Sequence, residues 1–374
     1  MIYRKFHLRA VYQGIYYFRN DHMQFSTYFH TLDPFAIQFS EAFGIRWYGL
    51  AYLAGFLAGY WVIRALASRG RILLPIAQIS DFVFSVALGT IIGGRLGYCL
   101  FYSPKLLTQF STEIPFWGVL AVHEGGMASH GGIIGIITAC YLYGRRWGIP
   151  AMHLCDLTTL GGTIGVFFGR IANFVNGELV GRAAPDSALW RVQFPQDVLS
   201  WPGFEPERLH SLSSAVGTVG VSAERWSTAV GDFLGSGVYS QLIESTLFRL
   251  IAATQSGNSA TVASLRAVLT PRYPSQLIEA LLEGLLLFVM LNIIWLKPRR
   301  PGVITGSFLV VYALVRCIGE QYRLPDLQIG YDIFGLTRGQ LLSFFVLLVG
   351  VVVLVLSRRT ADRTLGGWFQ SVQE

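Results

Sequence analysis

Apolar residues bunch along this chain into seven runs, near 45–63, 82–102, 127–144, 154–175, 275–296, 303–322 and 338–357. Each approaches the roughly 20 residues a helix needs to cross the hydrocarbon core of a bilayer. Residues 47–63 and 339–357 hold no charged side chain at all. The pattern predicts an all-α polytopic membrane protein of about seven transmembrane helices. It divides the chain into a tail over 1–44, helices one to four over 45–182, an insertion over 183–272, helices five to seven over 273–357, and a tail over 358–374. The insertion is of mixed composition, with helical patterns near 238–254 and 259–269 and no recognisable chemical motif.

Lys and Arg beside the runs set the orientation. Arg64, Arg69 and Arg71 follow the first run, Arg145 and Arg146 the third, Lys297, Arg299 and Arg300 the fifth, and Arg358, Arg359 and Arg363 the seventh. Every odd-numbered exit is basic. The N-terminus and the insertion are therefore expected outside, in the periplasm, and the C-terminus in the cytoplasm. Only 14% of the residues are charged, against about 25% in soluble domains. The net charge of +7 is then mostly this inside-positive signal and gives no cause to invoke nucleic acid, which calls for a soluble basic face with aromatics. Arg4, Lys5, Arg9 and Arg19 run against the orientation, and the first 22 residues lack a signal-peptide core. Translation starting at Met23 would remove all four charges. The four cysteines, Cys99, Cys140, Cys155 and Cys317, fall within the predicted helices without CxxC spacing and read as buried small hydrophobes.

Glycines recur every four residues at Gly89, Gly93 and Gly97, at Gly131 and Gly135, and at Gly161, Gly165 and Gly169. Such spacing lets membrane helices approach closely, either around a central site or simply to hold a bundle together. Among them stand polar residues that hydrocarbon tolerates poorly, at about 2.5–3.5 kcal/mol per charge on insertion scales. These are Arg95, His130, Asp156, Arg170, Asn173, Asn176, Glu178, Glu279, Glu283, Arg316, Glu320 and Arg323. Arg95, Glu283 and Arg323 read equally well as inter-helix ion pairs. Arg170 and Arg316 lie near the outer ends of their helices beside amides and carboxylates, and a guanidinium fork suits a phosphate at head-group depth. His130, at a helix start, is either a structural hydrogen-bonder or a proton acceptor near neutral pH.

The stretch GRIANFVNGELVG, residues 169–181, matches every fixed position of the signature of the prolipoprotein diacylglyceryl transferase family. IRWYGLAYLAGF, GGRLGYCLFY, EGGMASHGG, YPSQLIEALLEG, GSFLVVYALVRCIGEQYRLPD and GLTRGQLLS also resemble that family's blocks, in order, over roughly 45–182 and 273–343. The resemblance implies an enzyme of the bacterial inner membrane. It would move the diacylglyceryl group of phosphatidylglycerol to the lipobox cysteine of prolipoprotein signal peptides, with no metal and no cofactor. His130, Arg170 and Arg316 would be catalytic. Tyr48, Asn173, Glu178 and Gly181 fall on positions that this family uses to bind substrate; Arg95, Asn176, Glu320 and Arg323 are expected to bind substrate from their own polar setting, with Asn173, Asn176 and Glu178 orienting Arg170.

The chain departs from the family pattern at Tyr273, where a histidine is usual, at Ile278 for a tyrosine, at Ser129 for a frequent aromatic, and in its long insertion. A metal-dependent head-group transferase would want clustered aspartates, and no DxxxD occurs. An intramembrane serine protease would want a GxSx before a helical histidine. A lipid or anion transporter remains the reading from another class, and inverted repeats would mark it. Mass spectrometry of the native N-terminus is expected to show a chain beginning at Met23. A mass that includes residues 1–22 would refute that start.

Overall fold

In this computed structural model the described residues are 27–39, 44–112, 115–122, 125–325, 335–360 and 363–369. The basic residues of the first 22 positions, and with them the expectation of a start at Met23, lie outside the described residues. The principal helices are α1 (Trp47–Ala67), α2 (Ile79–Phe101), α3 (Ser129–Trp147), α4 (Ala151–Asn176), α5 (Ala223–Ser236), α6 (Gln241–Gln255), α7 (Ser259–Arg266), α8 (Ser275–Ile294), α9 (Val303–Gly319) and α10 (Arg338–Thr360). Each of the seven apolar runs corresponds to one helix, displaced by a few residues at its ends.

The chain folds into two compact units, one of residues 33–179 with 275–374 and the other of residues up to Leu32 with 180–274. In the larger unit five helices, α1, α2, α4, α8 and α10, are long and apolar enough to cross a membrane, and α9 is apolar but shorter. Helix α3 is less apolar because it contains Gly131, Gly132, Gly135, Gly144 and His130 and ends in Arg145 and Arg146. The architecture is that of a helical membrane protein. Its outward faces are apolar, with Trp61, Phe84, Ile134 and Val352 exposed, as lipid rather than water requires.

Helices pair where glycines remove the side-chain layer. A Cβ on Gly93 or Gly135 of the α2–α3 pair would run into the carbonyl oxygen of Gly131 or Gly89. In the α1–α4 pair a Cβ on Gly55 would stand 2.8 Å from the Cα of Gly165, and one on Gly161 would stand 2.8 Å from that of Gly59. Leu66, Phe82, Leu154, Leu157, Leu160, Leu287, Leu291 and Ile304 fill the core between the helices.

The buried Asp156 of α4 serves as the N-cap of another helix. Its Oδ2 accepts the Gly302 N–H at 2.8 Å and its Oδ1 accepts the Thr305 N–H at 2.8 Å. The otherwise unsatisfied donors at the start of α9 are thereby met by an anion placed at the positive end of the helix dipole. At the same end of the bundle the C-terminal segment docks back. Leu365 bridges to Arg299, the Trp368 indole N–H donates to Asn292 Oδ1 at 3.0 Å, and the Arg69 guanidinium lies 5.4 Å from the Trp368 ring. Gly366 and Gly367 turn this segment with φ of 75° and 87°, a conformation open to glycine. The basic exits of α1, α8 and α10 thus share one end.

The smaller unit is built on α5, α6 and α7. Ser222, Ser240 and Asn258 cap them by accepting backbone N–H bonds. Trp201, Leu209, Trp226, Leu247 and Leu250 form its core. Strand β1 (Tyr28–Phe29) pairs in parallel with β4 (Val192–Gln193), while in the larger unit β2 (Phe35–Gln38) pairs antiparallel with β3 (Gly44–Arg46). The Arg272 fork clasps the Asp197 carboxylate at 2.8–3.0 Å. Helices α6 and α7 follow the pattern read from the sequence. Helix α5 did not register there, although Ser222 and Gly237 are its cap residues.

Gly135→Leu drives a side chain into the Gly89 carbonyl, an overpacking that costs about 1–3 kcal/mol or more. Thermal melts in detergent are expected to fall by several degrees for this variant and to stay unchanged for Gly49→Ala, where a Cβ meets nothing within 4 Å.

Candidate active site

Glutamates 279 and 283 stand in the first half of the apolar helix α8 and are fully buried. Helix α8 widens into a π-helical segment over Ala280–Leu286, an irregularity common at functional sites. Arg170, near the end of α4, donates from Nε and Nη2 to Glu283 Oε2 at 3.1 and 2.8 Å, and its Nη1 lies 2.9 Å from Glu279 Oε2. Arg316, in the last turn of α9, places Nη1 2.5 Å from Glu279 Oε1 and 3.1 Å from Glu283 Oε1, and donates from Nη2 to Glu320. Each guanidinium therefore bridges both buried carboxylates. Arg323 Nη1 approaches Glu279 Oε1 at 3.9 Å, and Glu320 also accepts the Thr337 hydroxyl at 3.0 Å. Arg170, Arg316 and Arg323 balance Glu279, Glu283 and Glu320, which is how charge persists in a low-dielectric interior. The arginines remain partly open, with 15% and 12% of the Arg170 and Arg316 side-chain surfaces accessible.

Beside this cluster lies a second group. The Asn173 amide donates to the Tyr48 hydroxyl and, at 2.7 Å, to Glu178 Oε1, and the Tyr48 hydroxyl donates to the same Glu178 oxygen. Helix α4 ends at Gly177 with φ of 67°, and the Glu178 N–H returns to the Asn173 carbonyl at 3.2 Å. This left-handed cap turns the chain so that Glu178, five residues beyond Asn173, faces it. From the start of α8 the Gln276 amide donates to the Glu178 carbonyl at 2.6 Å, and the Ser275 hydroxyl to that of Leu179 at 2.9 Å.

Both groups border a chamber of about 510 Å³ between the helices. Tyr48, Arg170, Asn173, Glu283 and Tyr312 form its polar end. From there it runs along α1 and α4 to Ile63, Phe82 and Leu157. Its length along α4, from Leu157 to Asn173, is about 24 Å at 1.5 Å per residue.

The remaining residues named from the sequence have surroundings of their own. His130 is exposed in the first turn of α3, and Ser129 is the residue that lines the chamber there. Arg95 is buried, and its donors go to backbone: Nε to Val119 O at 2.8 Å, Nη1 to Gly125 O at 2.5 Å and Gly126 O at 3.1 Å, and Nη2 to Gly118 O at 2.7 Å. It holds the loop that leads to His130. Asn176 ends α4 half-buried. Gly181 belongs to the smaller unit, where its carbonyl accepts from Arg272. Tyr273 also lies in that unit, with its N–H on the Arg182 carbonyl. Glu279, Glu283 and Tyr312 were not among the expected site residues. Two glutamates at i, i+4 in an apolar run were the available signal, since such a pair requires cations from other helices.

An ion-paired arginine cluster closing one end of an apolar chamber defines a polytopic membrane protein with an internal amphiphilic site. Residues 34–356 match the family model described as prolipoprotein diacylglyceryl transferase. Among curated proteins, the phosphatidylglycerol–prolipoprotein diacylglyceryl transferase of Bdellovibrio bacteriovorus is 49% identical over 91% of this chain and 96% of its own length. The proteins of the same name from Rhodospirillum rubrum and Rhodospirillum centenum are 35% and 37% identical, over 92% and 87% of this chain and 99% and 92% of their own lengths. The chain belongs to the prolipoprotein diacylglyceryl transferase family.

Glu283→Gln removes one of the two carboxylates that the arginines share. Breaking a buried pair in this way costs about 3–5 kcal/mol. A marked fall in the detergent melting temperature is the expected outcome, and an unchanged melt would show that the pairing is not holding the helices.

Proposed function

We propose that this protein transfers the diacylglyceryl group of phosphatidylglycerol to the lipobox cysteine thiol of prolipoproteins, forming a thioether and releasing glycerol 1-phosphate. Membership of the family over residues 34–356 carries this reading, and the chamber gives it physical sense. An apolar space accepts acyl chains, and arginines at its polar end suit a phosphate. The protein sits in the bacterial inner membrane with seven spans, α3 and α9 included, the N-terminus and the 180–274 unit in the periplasm, and the C-terminus in the cytoplasm. The gathering of basic helix exits at one end of the bundle supports that orientation.

The sulfur attacks the glyceryl carbon that bears the phosphate ester. The carbon–oxygen bond breaks, and its electron pair leaves on a phosphate oxygen. Arg170 and Arg316 stabilise that growing charge. Glu279 and Glu283 hold the two forks in place beforehand, so little reorganisation accompanies bond cleavage. Tyr48, Asn173 and Glu178 shape the neighbouring polar wall, where the head-group glycerol offers hydroxyls. Glu320 and Arg323 support the same end through Arg316 and Glu279. Arg95 acts through the 118–126 loop. His130, exposed, removes the thiol proton as the precursor arrives.

Purified protein with phosphatidylglycerol and a lipobox peptide is expected to release glycerol 1-phosphate. Release should fall at least about 100-fold in Arg170→Ala, the scale of losing a transition-state donor, and vanish with a Cys→Ser peptide. Lipid binding without release by a folded wild type would favour a carrier instead. His130→Gln is expected to lose activity more severely at low pH, where the thiol holds its proton, and full activity at pH 7 would remove the histidine from the mechanism.

A further inference from the structure

The glycines that line the chamber fall into two kinds. Gly55, Gly59, Gly161 and Gly165 face one another across the α1–α4 crossing, and a Cβ on Gly55 or Gly161 would press on the opposing backbone at 2.8 Å. Gly162 and Gly169 also line the chamber, yet a Cβ on either would meet nothing within 4 Å. Helix packing does not account for them. A helix interior favours alanine over glycine, so the space itself is what their missing side chains provide.

Gly162, Val166, Gly169 and Asn173 follow at intervals of four, three and four residues, which places them along one face of α4. All four line the chamber. The face runs from the apolar end to the polar one, and Gly162 lies about 16 Å from Asn173 at 1.5 Å per residue. The chamber offers about 510 Å³, and a hydrocarbon chain is slender enough to lie along this face.

Resting on the transferase reading, we infer that Gly162 is a specificity-determining residue, whose missing side chain admits the far end of a lipid acyl chain and sets how long that chain is allowed to be. Gly169 keeps the passage beside the arginines open. The reacting phosphate end lies at the other extremity of the face. Enlarging residue 162 therefore discriminates among lipids by length while leaving the reacting groups in place.

The test uses the full-length protein, a lipobox peptide, and dilauroyl, dimyristoyl, dipalmitoyl and dioleoyl phosphatidylglycerol, comparing wild type with Gly162→Ala and Gly162→Leu. Each methylene kept out of an apolar site costs about fourfold. The dioleoyl-to-dilauroyl ratio of kcat/KM is expected to fall roughly tenfold in Gly162→Leu and by a smaller factor in Gly162→Ala, with dilauroyl transfer retained. Gly162→Ala is expected to melt no lower than wild type, so its ratio is decisive even where the leucine variant fails to fold. An unchanged ratio in an active, folded alanine variant, or an equal loss with every lipid, overturns the proposal. A wild type inactive with all four lipids overturns the transferase reading instead.

Discussion

Two carboxylates buried in an apolar helix cannot stand alone, and this constraint organises the membrane unit. Glu279 and Glu283 are matched by Arg170 from α4 and Arg316 from α9, so three helices must meet at one level. Each arginine bridges both glutamates, and neither pair can be released singly without stranding charge in a low-dielectric interior. The π-helical segment beginning at Ala280 accompanies this arrangement.

The rest of the unit keeps that junction in register. Asp156 caps α9 at the end opposite Arg316, and the C-terminal segment ties α1 and α8 together through Trp368. Glycine contacts bring α1 onto α4 and α2 onto α3. The chamber persists between these pairs because the same helices that touch at Gly55 and Gly161 leave open space at Gly162 and Gly169. The result is a site apolar along most of its length and highly polar at one end, the profile of a phospholipid.

The arginines are chemically prepared rather than free. Their carboxylate partners use part of each fork and leave a smaller face accessible. A phosphate placed there would meet cations of fixed position whose charge is partly compensated. Such a site is suited to stabilising charge that grows during reaction, and less suited to holding a stable anion tightly.

Each helix of the bundle was legible in the sequence, because a bilayer demands long apolar runs whatever their neighbours are. The signature stretch 169–181 likewise marked Arg170, Asn173 and Glu178, since several polar residues at the end of such a run require a partner or a ligand. Their partners were not legible. Glu279 and Arg170 are more than a hundred positions apart, and local spacing records only neighbours on the same helix. For that reason Arg95 read equally as an ion-pair residue or a substrate group, whereas its donors go to the carbonyls of Gly118, Val119, Gly125 and Gly126, and Gly169 read like Gly161, whereas a Cβ on it meets nothing within 4 Å. Composition and periodicity determined that this protein is a helical membrane protein with a polar site. Only the tertiary structure decided which charges pair and which glycines leave a void, because both depend on what another helix places opposite them.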